Sequence, residues 1–100
     1  MQSDIFSLEN KIALITGSGR DIGRGIALCM ARAGADIVVT ARSVEQIEQT
    51  ASEIRALGRK AIAIQFDARE SEQVSSMAEK ALEEFGKIDI WVNNVGTPTH

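Results

Sequence analysis

Four short apolar runs punctuate the chain, and between them lie three longer segments with apolar residues at helical spacing. The runs are Lys11–Thr16 (KIALIT), Asp36–Thr40 (DIVVT), Lys60–Phe66 (KAIAIQF) and Ile88–Val92 (IDIWV). They are nearly continuous rather than alternating, so they predict strands covered on both faces. Ile22–Ala33 carries Ile22, Ile26, Met30 and Ala33 on one stripe, and Gly34 follows where a left-handed cap residue belongs. Val44–Leu57 places Val44, Ile47, Ala51 and Ile54 on one face. Ser43 and Gln46 fit a capping box at its start, and Gly58 stops it. Ser71–Phe85 aligns Val74, Met77, Ala78, Ala81, Leu82 and Phe85 ahead of Gly86. All three stripes read as core packing.

The predicted order is β-α-β-α-β-α-β, the pattern of an α/β domain whose strands pair in parallel through right-handed crossovers. The expected strand order is 3-2-1-4, the first half of a Rossmann-type dinucleotide-binding sheet plus one strand. Residues 1–100 read as a single, partial domain, with no repeat and no linker. The lone proline, Pro98, marks a loop past the fourth strand. That strand is as apolar as a central one yet is expected at a sheet edge, a position prone to aggregation when bare. The expectation is therefore an apparently truncated domain, either continued past His100 or completed by a partner's strands.

Composition narrows the function. The chain has 100 residues, 44% hydrophobic and 25% charged, and a net charge of −3. An acidic balance with pI near 5.1 argues against a general nucleic-acid binder or a polybasic membrane anchor. The single cysteine, Cys29, cannot pair within the chain, and no Cys/His cluster suggests a metal. The opening MQSDIFSLENK does not resemble a signal peptide, and no apolar run suits a bilayer. A cytoplasmic protein is expected. There is no tyrosine, and the only histidine, His100, reads as solvated rather than catalytic.

Thr16–Gly25 reads TGSGRDIGRG, between the first strand and the first helix. Glycines there let backbone N–H groups approach a pyrophosphate, and the helix start favours negative charge. Gly17, Gly19 and Gly23 are spaced one residue longer than G-x-G-x-x-G. Glycines alone also serve turns; the strand before and the helix after are what point to phosphate.

Two further segments sharpen this. Asp67-Ala68 follows the third strand, and Gly86–Gly96 reads GKIDIWVNNVG through and beyond the fourth. With these, the chain from Lys11 onward resembles the N-terminal part of a short-chain dehydrogenase/reductase. That family carries T-G-x-x-x-G-x-G at the turn, which Thr16, Gly17 and Gly23 match. It also carries Asn-Asn-Ala-Gly after the fourth strand, here Asn93-Asn94-Val95-Gly96. The resemblance implies that Gly17, Gly19 and Ile22, with Gly23 in the same motif, lie against the phosphates and adjoining ribose of a nicotinamide cofactor. It implies that Asp67 accepts from the adenine amino group and that the Ala68 backbone bonds the ring. Asn93 and Gly96 would line the adenosine side. The plainer alternatives are an acid preceding a helix for Asp67 and loop polarity for Asn93 and Asn94.

Cofactor choice follows from charge. An acid at the end of the second strand bonds the ribose 2′-OH of NAD, whereas an arginine nearby accommodates the 2′-phosphate of NADP. This strand ends Thr40-Ala41-Arg42-Ser43, and Asp36 sits at its other end. Arg42, Arg20 in the glycine-rich turn and the Ser43 hydroxyl favour NADP(H) over NAD(H). The alternatives are solvated surface arginines and a serine that only caps its helix. Asp21 departs from the family by standing at its middle glycine. Its carboxylate would compete for helix amides or repel the pyrophosphate, with Arg20 and Arg24 offsetting it. Gly25 lowers helix propensity by about 1 kcal/mol, for which close packing on a strand would compensate.

The family's catalytic serine and Tyr-x-x-x-Lys lie later in its chains than these residues reach. No catalytic residue is assigned, Ser18, Ser75 and Ser76 included, and these 100 residues alone are expected to be inactive. The intact protein is expected to interconvert a carbonyl and a secondary alcohol by hydride transfer. Its substrate would be a small molecule, a 3-oxoacyl thioester, steroid, sugar or other alcohol, and the wording is nearest 3-oxoacyl-carrier-protein reductases. A dimer or tetramer is implied. Two other readings stand beside this one: a nucleotide-binding or interaction module without catalysis, and a structural domain whose site has decayed at Asp21.

Overall fold

Every apolar run forms a strand and every periodic segment a helix. The computed structural model describes residues 7–67, 69, 70 and 72–94. Ala68, Ser71, Gly96, Pro98 and His100 of the sequence reading lie outside the described residues. The order is β1 (Ile12–Ile15), α1 (Asp21–Arg32), β2 (Asp36–Ala41), α2 (Val44–Ala56), β3 (Ala61–Gln65), α3 (Glu72–Phe85) and β4 (Ile90–Val92). The strands make one parallel sheet in the order β3-β2-β1-β4, as expected for the first half of a dinucleotide-binding sheet plus one strand. Strand β1 pairs with β2 from Ile12 opposite Asp36 to Ile15 opposite Val39, and with β4 from Ala13 opposite Ile90 to Ile15 opposite Val92.

A period of two along β1 divides its side chains between two cores. Ala13 and Ile15 join Ile37, Val39 and the buried residues of α1 and α2. Ile12 and Leu14 join Val38, Ile64, Phe66 and the buried residues of α3, Met77 and Ala81. The central strands are covered on both faces as predicted, but β3 and β4 are only partly buried. Pairing with Leu14 puts Trp91 on the α3 face, where it is 43% exposed.

The helix stripes depart from the sequence reading in an instructive way. Helix α1 buries Gly23, Ala27, Leu28 and Ala31 rather than the larger Ile22, Ile26 and Met30. Small residues at this spacing let the helix axis approach the sheet, while Ile26 and Met30 pack at the margin. Ile22 is 73% exposed. On α2 the buried face is Ile47, Thr50, Ala51 and Ile54, and Val44 is exposed. On α3 only Met77 and Ala81 are buried; Val74 and Leu82 are exposed. Ser43 caps α2 by accepting from the Gln46 N–H at 3.2 Å, which bears out the first half of the capping box.

The edge of the sheet where strands begin is closed by side chains. Asp36 Oδ1 accepts from the Lys60 N–H at 2.9 Å, joining the starts of β2 and β3. Asp89 Oδ2 accepts from the Ile12 N–H at 2.8 Å, and the Asp89 N–H donates to the Ile12 carbonyl at 2.9 Å. Arg55 and Arg59 donate to the carbonyls of Ala61 and Gly34. The Ile12 amide, with the Lys87 ammonium 3.2 Å away, holds the Asp89 carboxyl below the usual aspartate range. These contacts leave the opposite edge, where strands end, as the open one.

Candidate nucleotide-binding site

The turn from β1 to α1 is built by residues with unusual backbone freedom. Gly17 has φ +64°, and a side chain there would strike the Asn94 carbonyl at 2.8 Å. Gly23 is tighter still: an added Cβ would lie 1.9 Å from the Gly17 carbonyl. The two glycines therefore let the start of α1 fold back against the end of β1. Asp21 adopts φ +55°, the left-handed conformation that Asp tolerates better than most residues. Among the described residues no side chain caps α1 at Arg20, and the exposed helix start faces the cleft.

Buried hydroxyls hold this turn in place. Ser18 is fully buried, and its Oγ donates to the Ile15 carbonyl at 2.8 Å while accepting from the Thr40 N–H at 3.0 Å. The Ser18 N–H donates to the Thr40 carbonyl at 2.9 Å. Thr16 Oγ1 accepts from the Asn94 N–H at 2.8 Å and lies 3.2 Å from Asn93 Oδ1. Thr50 Oγ1 reaches the Gly19 carbonyl at 3.4 Å. The turn is thus bound to β2, α2 and the segment after β4, although those residues are far apart in sequence.

Together they frame a cleft of about 620 Å³ over the ends of β1 and β2. Its floor is the turn, Gly17, Gly19 and Gly23, with Asn94 beside it. Its walls include Ile22, Ala41, Ser43, Gln46 and Phe66, and Arg20, Asp21 and Arg42 supply its charges. It opens where strand order reverses about β1, the place at which open parallel sheets bind ligands. The exposed apolar side chain of Ile22 faces this space rather than the core. Phe66, Gln46 and Asn94 were not singled out as lining residues by the sequence. A strand-end position one residue before Asp67 was the available signal for Phe66.

The remaining candidates fall nearby. Asp67 lines a second cleft of about 540 Å³, shared with Arg42, Gln73 and Lys80. Its carboxylate accepts from Arg69 Nε at 3.1 Å, Arg69 Nη2 at 2.9 Å and the Arg69 N–H at 3.0 Å. This fork pulls the carboxyl down to about 2, so Asp67 is ionised at neutral pH. Asn93 turns to Thr16, and Asn94, not Asn93, lines the larger cleft. Two expectations about charge need correction. Asp21 does not cap α1; its carboxylate lies 3.5 Å from Arg20 Nε. Arg24 does not offset Asp21, because Glu53 engages its guanidinium at 2.6 and 2.9 Å, tying α1 to α2. Among the described residues, nothing lies within 4 Å of a would-be Cβ on Gly25, so none of them packs closely enough to compensate for it.

A family model described as short chain dehydrogenase matches residues 11–100. The chain belongs to the short-chain dehydrogenase family. An uncharacterized oxidoreductase, MT0954, from Mycobacterium tuberculosis is 44% identical over 93 residues, which are 93% of this chain and 35% of that one. Versicolorin reductase 1 from Dothistroma septosporum is 44% identical over 97 residues, 96% of this chain and 37% of its own. Among solved structures, a hydroxysteroid dehydrogenase from Escherichia coli superposes with a TM-score of 0.91 at 38% identity, covering 96% of this chain and 41% of that one. A 7α-hydroxysteroid dehydrogenase solved with NADH and 7-oxo glycochenodeoxycholic acid superposes at 0.92 and 38% identity, covering 97% and 38%. The chain thus spans little more than a third of the length of these short-chain dehydrogenase relatives. Among the described residues, no helix is long and apolar enough to cross a membrane.

Proposed function

We propose that residues 1–100 form the NADP(H)-binding part of a short-chain oxidoreductase that interconverts a carbonyl and a secondary alcohol. The observation that carries this reading is the charge at the end of β2. Arg42 and Arg20 line the cleft there, and the strand ends without an acid to bond a ribose 2′-OH. One 7α-hydroxysteroid dehydrogenase of the same fold was solved with NADH, so the fold alone does not choose between cofactors.

The residues suit a dinucleotide phosphate. Gly17 and Gly23 put no side chain between their backbone and a ligand, and the uncapped start of α1 favours an anion. Arg20, Arg42 and the Ser43 hydroxyl would meet the 2′-phosphate. Ile22 would cover the adjoining ribose, and Asp67 and the Ala68 backbone would receive the adenine. Asn93 and Gly96 would complete the adenosine side, with Asn94 beside the turn. A bound nicotinamide cofactor supplies the hydride exchanged with the substrate carbon. This chain's part is to bind and orient it; with no tyrosine here, the acid/base of that chemistry is not among these residues. The intact protein would act on a small carbonyl or alcohol substrate, as an oligomer in the cytoplasm.

Arg42→Asp tests the cofactor assignment. Fluorescence titration should show NADPH binding weakened and NADH binding improved. Unchanged affinities for both would overturn it. Sustained NADPH oxidation by the purified 100 residues with any ketone would overturn the placement of the chemistry elsewhere.

A further inference from the structure

Among the described residues, Asp21 is the one acid lining a cleft whose other charged groups are Arg20 and Arg42. Its side chain is 80% exposed, and among the described residues its ionic neighbour is Arg20, with Nε at 3.5 Å. It neither caps α1 nor receives help from Arg24, which is committed to Glu53. Its backbone at φ +55° adopts a conformation in which Gly or Asn would sit with less strain than most residues. A structural role would be served equally by Asn, which shares the shape and the left-handed tolerance. The charge is what Asn lacks, and the charge faces an anion-binding turn.

We propose that Asp21 is a specificity-determining residue that restrains the cleft's preference for the more highly charged cofactor, by holding the Arg20 guanidinium and opposing anions at the start of α1. The inference rests on the reading of this cleft as the nicotinamide-cofactor site. Two effects of different reach follow. Repulsion of the pyrophosphate acts on NADPH and NADH alike. Restraint of Arg20 acts on the 2′-phosphate and so on NADPH alone. Both are exposed-charge effects, small and screened by salt.

Asp21→Asn separates charge from backbone geometry. Equilibrium titration at low salt should show NADPH binding tighter by about five-fold and NADH by about two-fold. The gain should shrink as salt is added. In an Arg20→Gln background the extra gain for NADPH should vanish, leaving the same modest change for both cofactors. Thermal unfolding of Asp21→Asn should match the parent, which excludes a folding artefact. Asp21→Gly should reproduce the binding gain.

The outcomes divide cleanly. If the parent binds both cofactors and Asp21→Asn leaves both affinities unchanged, the inference fails while the site reading stands. If Asp21→Asn weakens NADH binding, Asp21 is a ribose or amide partner and the inference also fails. If neither protein binds either cofactor, the site reading fails and takes the inference with it.

Discussion

The two edges of the sheet use the same residue types in opposite ways. Where the strands begin, each acid named above has a backbone partner: Asp36 receives the Lys60 N–H and Asp89 the Ile12 N–H. Arg55 and Arg59 spend their guanidinium groups on carbonyls. Where the strands end, Arg20 and Asp21 are left largely in solvent, 3.5 Å from each other, and Ile22 is exposed. What is rigid at that end is the backbone, held by the buried hydroxyls of Thr16, Ser18 and Thr40. One edge satisfies itself, and the other keeps charge and apolar surface in reserve. In a parallel sheet all strands end together, so a rigid turn with unengaged side chains collects at one edge.

Substitutions can break this contrast. Gly23→Ala should have the largest effect, because its Cβ would meet backbone, which cannot swing aside. We expect a loss of about 3 kcal/mol in urea unfolding together with loss of nucleotide binding. A variant that kept both would mean that the turn is not rigid. Thr16→Val comes next: it strips the Asn94 N–H of its acceptor at the half-buried rim of the cleft. The expected cost is about 2 kcal/mol, with cofactor affinity reduced as Asn94 loosens. Gly25→Ala runs the other way. With open space around it, the change should stabilise by about 1 kcal/mol and leave binding untouched.

Asp89→Asn probes the closed edge and should have the smallest effect. The carboxyl is held below its ordinary 3.8, so it is bound by more protons in the unfolded chain than in the folded one as pH falls. Its contribution is full above pH 3.8 and disappears as pH drops through the lowered folded value. The stability gap between parent and variant should therefore be constant near neutrality and close in acid. Cofactor affinity should not change at any pH. A change in affinity would mean that the two edges are coupled.

Much of the fold was legible in the chain. Continuous apolar runs separated by helical segments imply parallel pairing through right-handed crossovers, and the order then expected is that of the first half of a dinucleotide-binding sheet plus one strand. That is why the order 3-2-1-4 could be read without coordinates. Element ends moved by no more than two residues, since caps such as Ser43 and Gly34 are local signals. The faces of the helices were less legible. Periodicity favours the largest apolar residues, but α1 buries Gly23, Ala27 and Ala31 because proximity to the sheet rewards small side chains. Likewise Ile22 fits a core stripe by spacing and lies in a cleft by geometry.

The site divides in the same way. Local sequence determined that a glycine-rich turn joins the first strand to the first helix, and that two arginines and no acid attend the end of β2. Only the tertiary structure decided which groups are free to act. It gave Arg24 to Glu53, and it left the Arg20–Asp21 pair exposed over the cleft. It placed Asn94 rather than its neighbour Asn93 at the larger cleft: the Asn93 side chain meets Thr16 Oγ1, while Asn94 Nδ2 reaches the Gly17 carbonyl. Backbone conformation and turn chemistry are set by neighbours in sequence. The partner of a charged side chain is set by what folding brings within reach, and in this chain Arg24 and Glu53 meet only because two helices pack together.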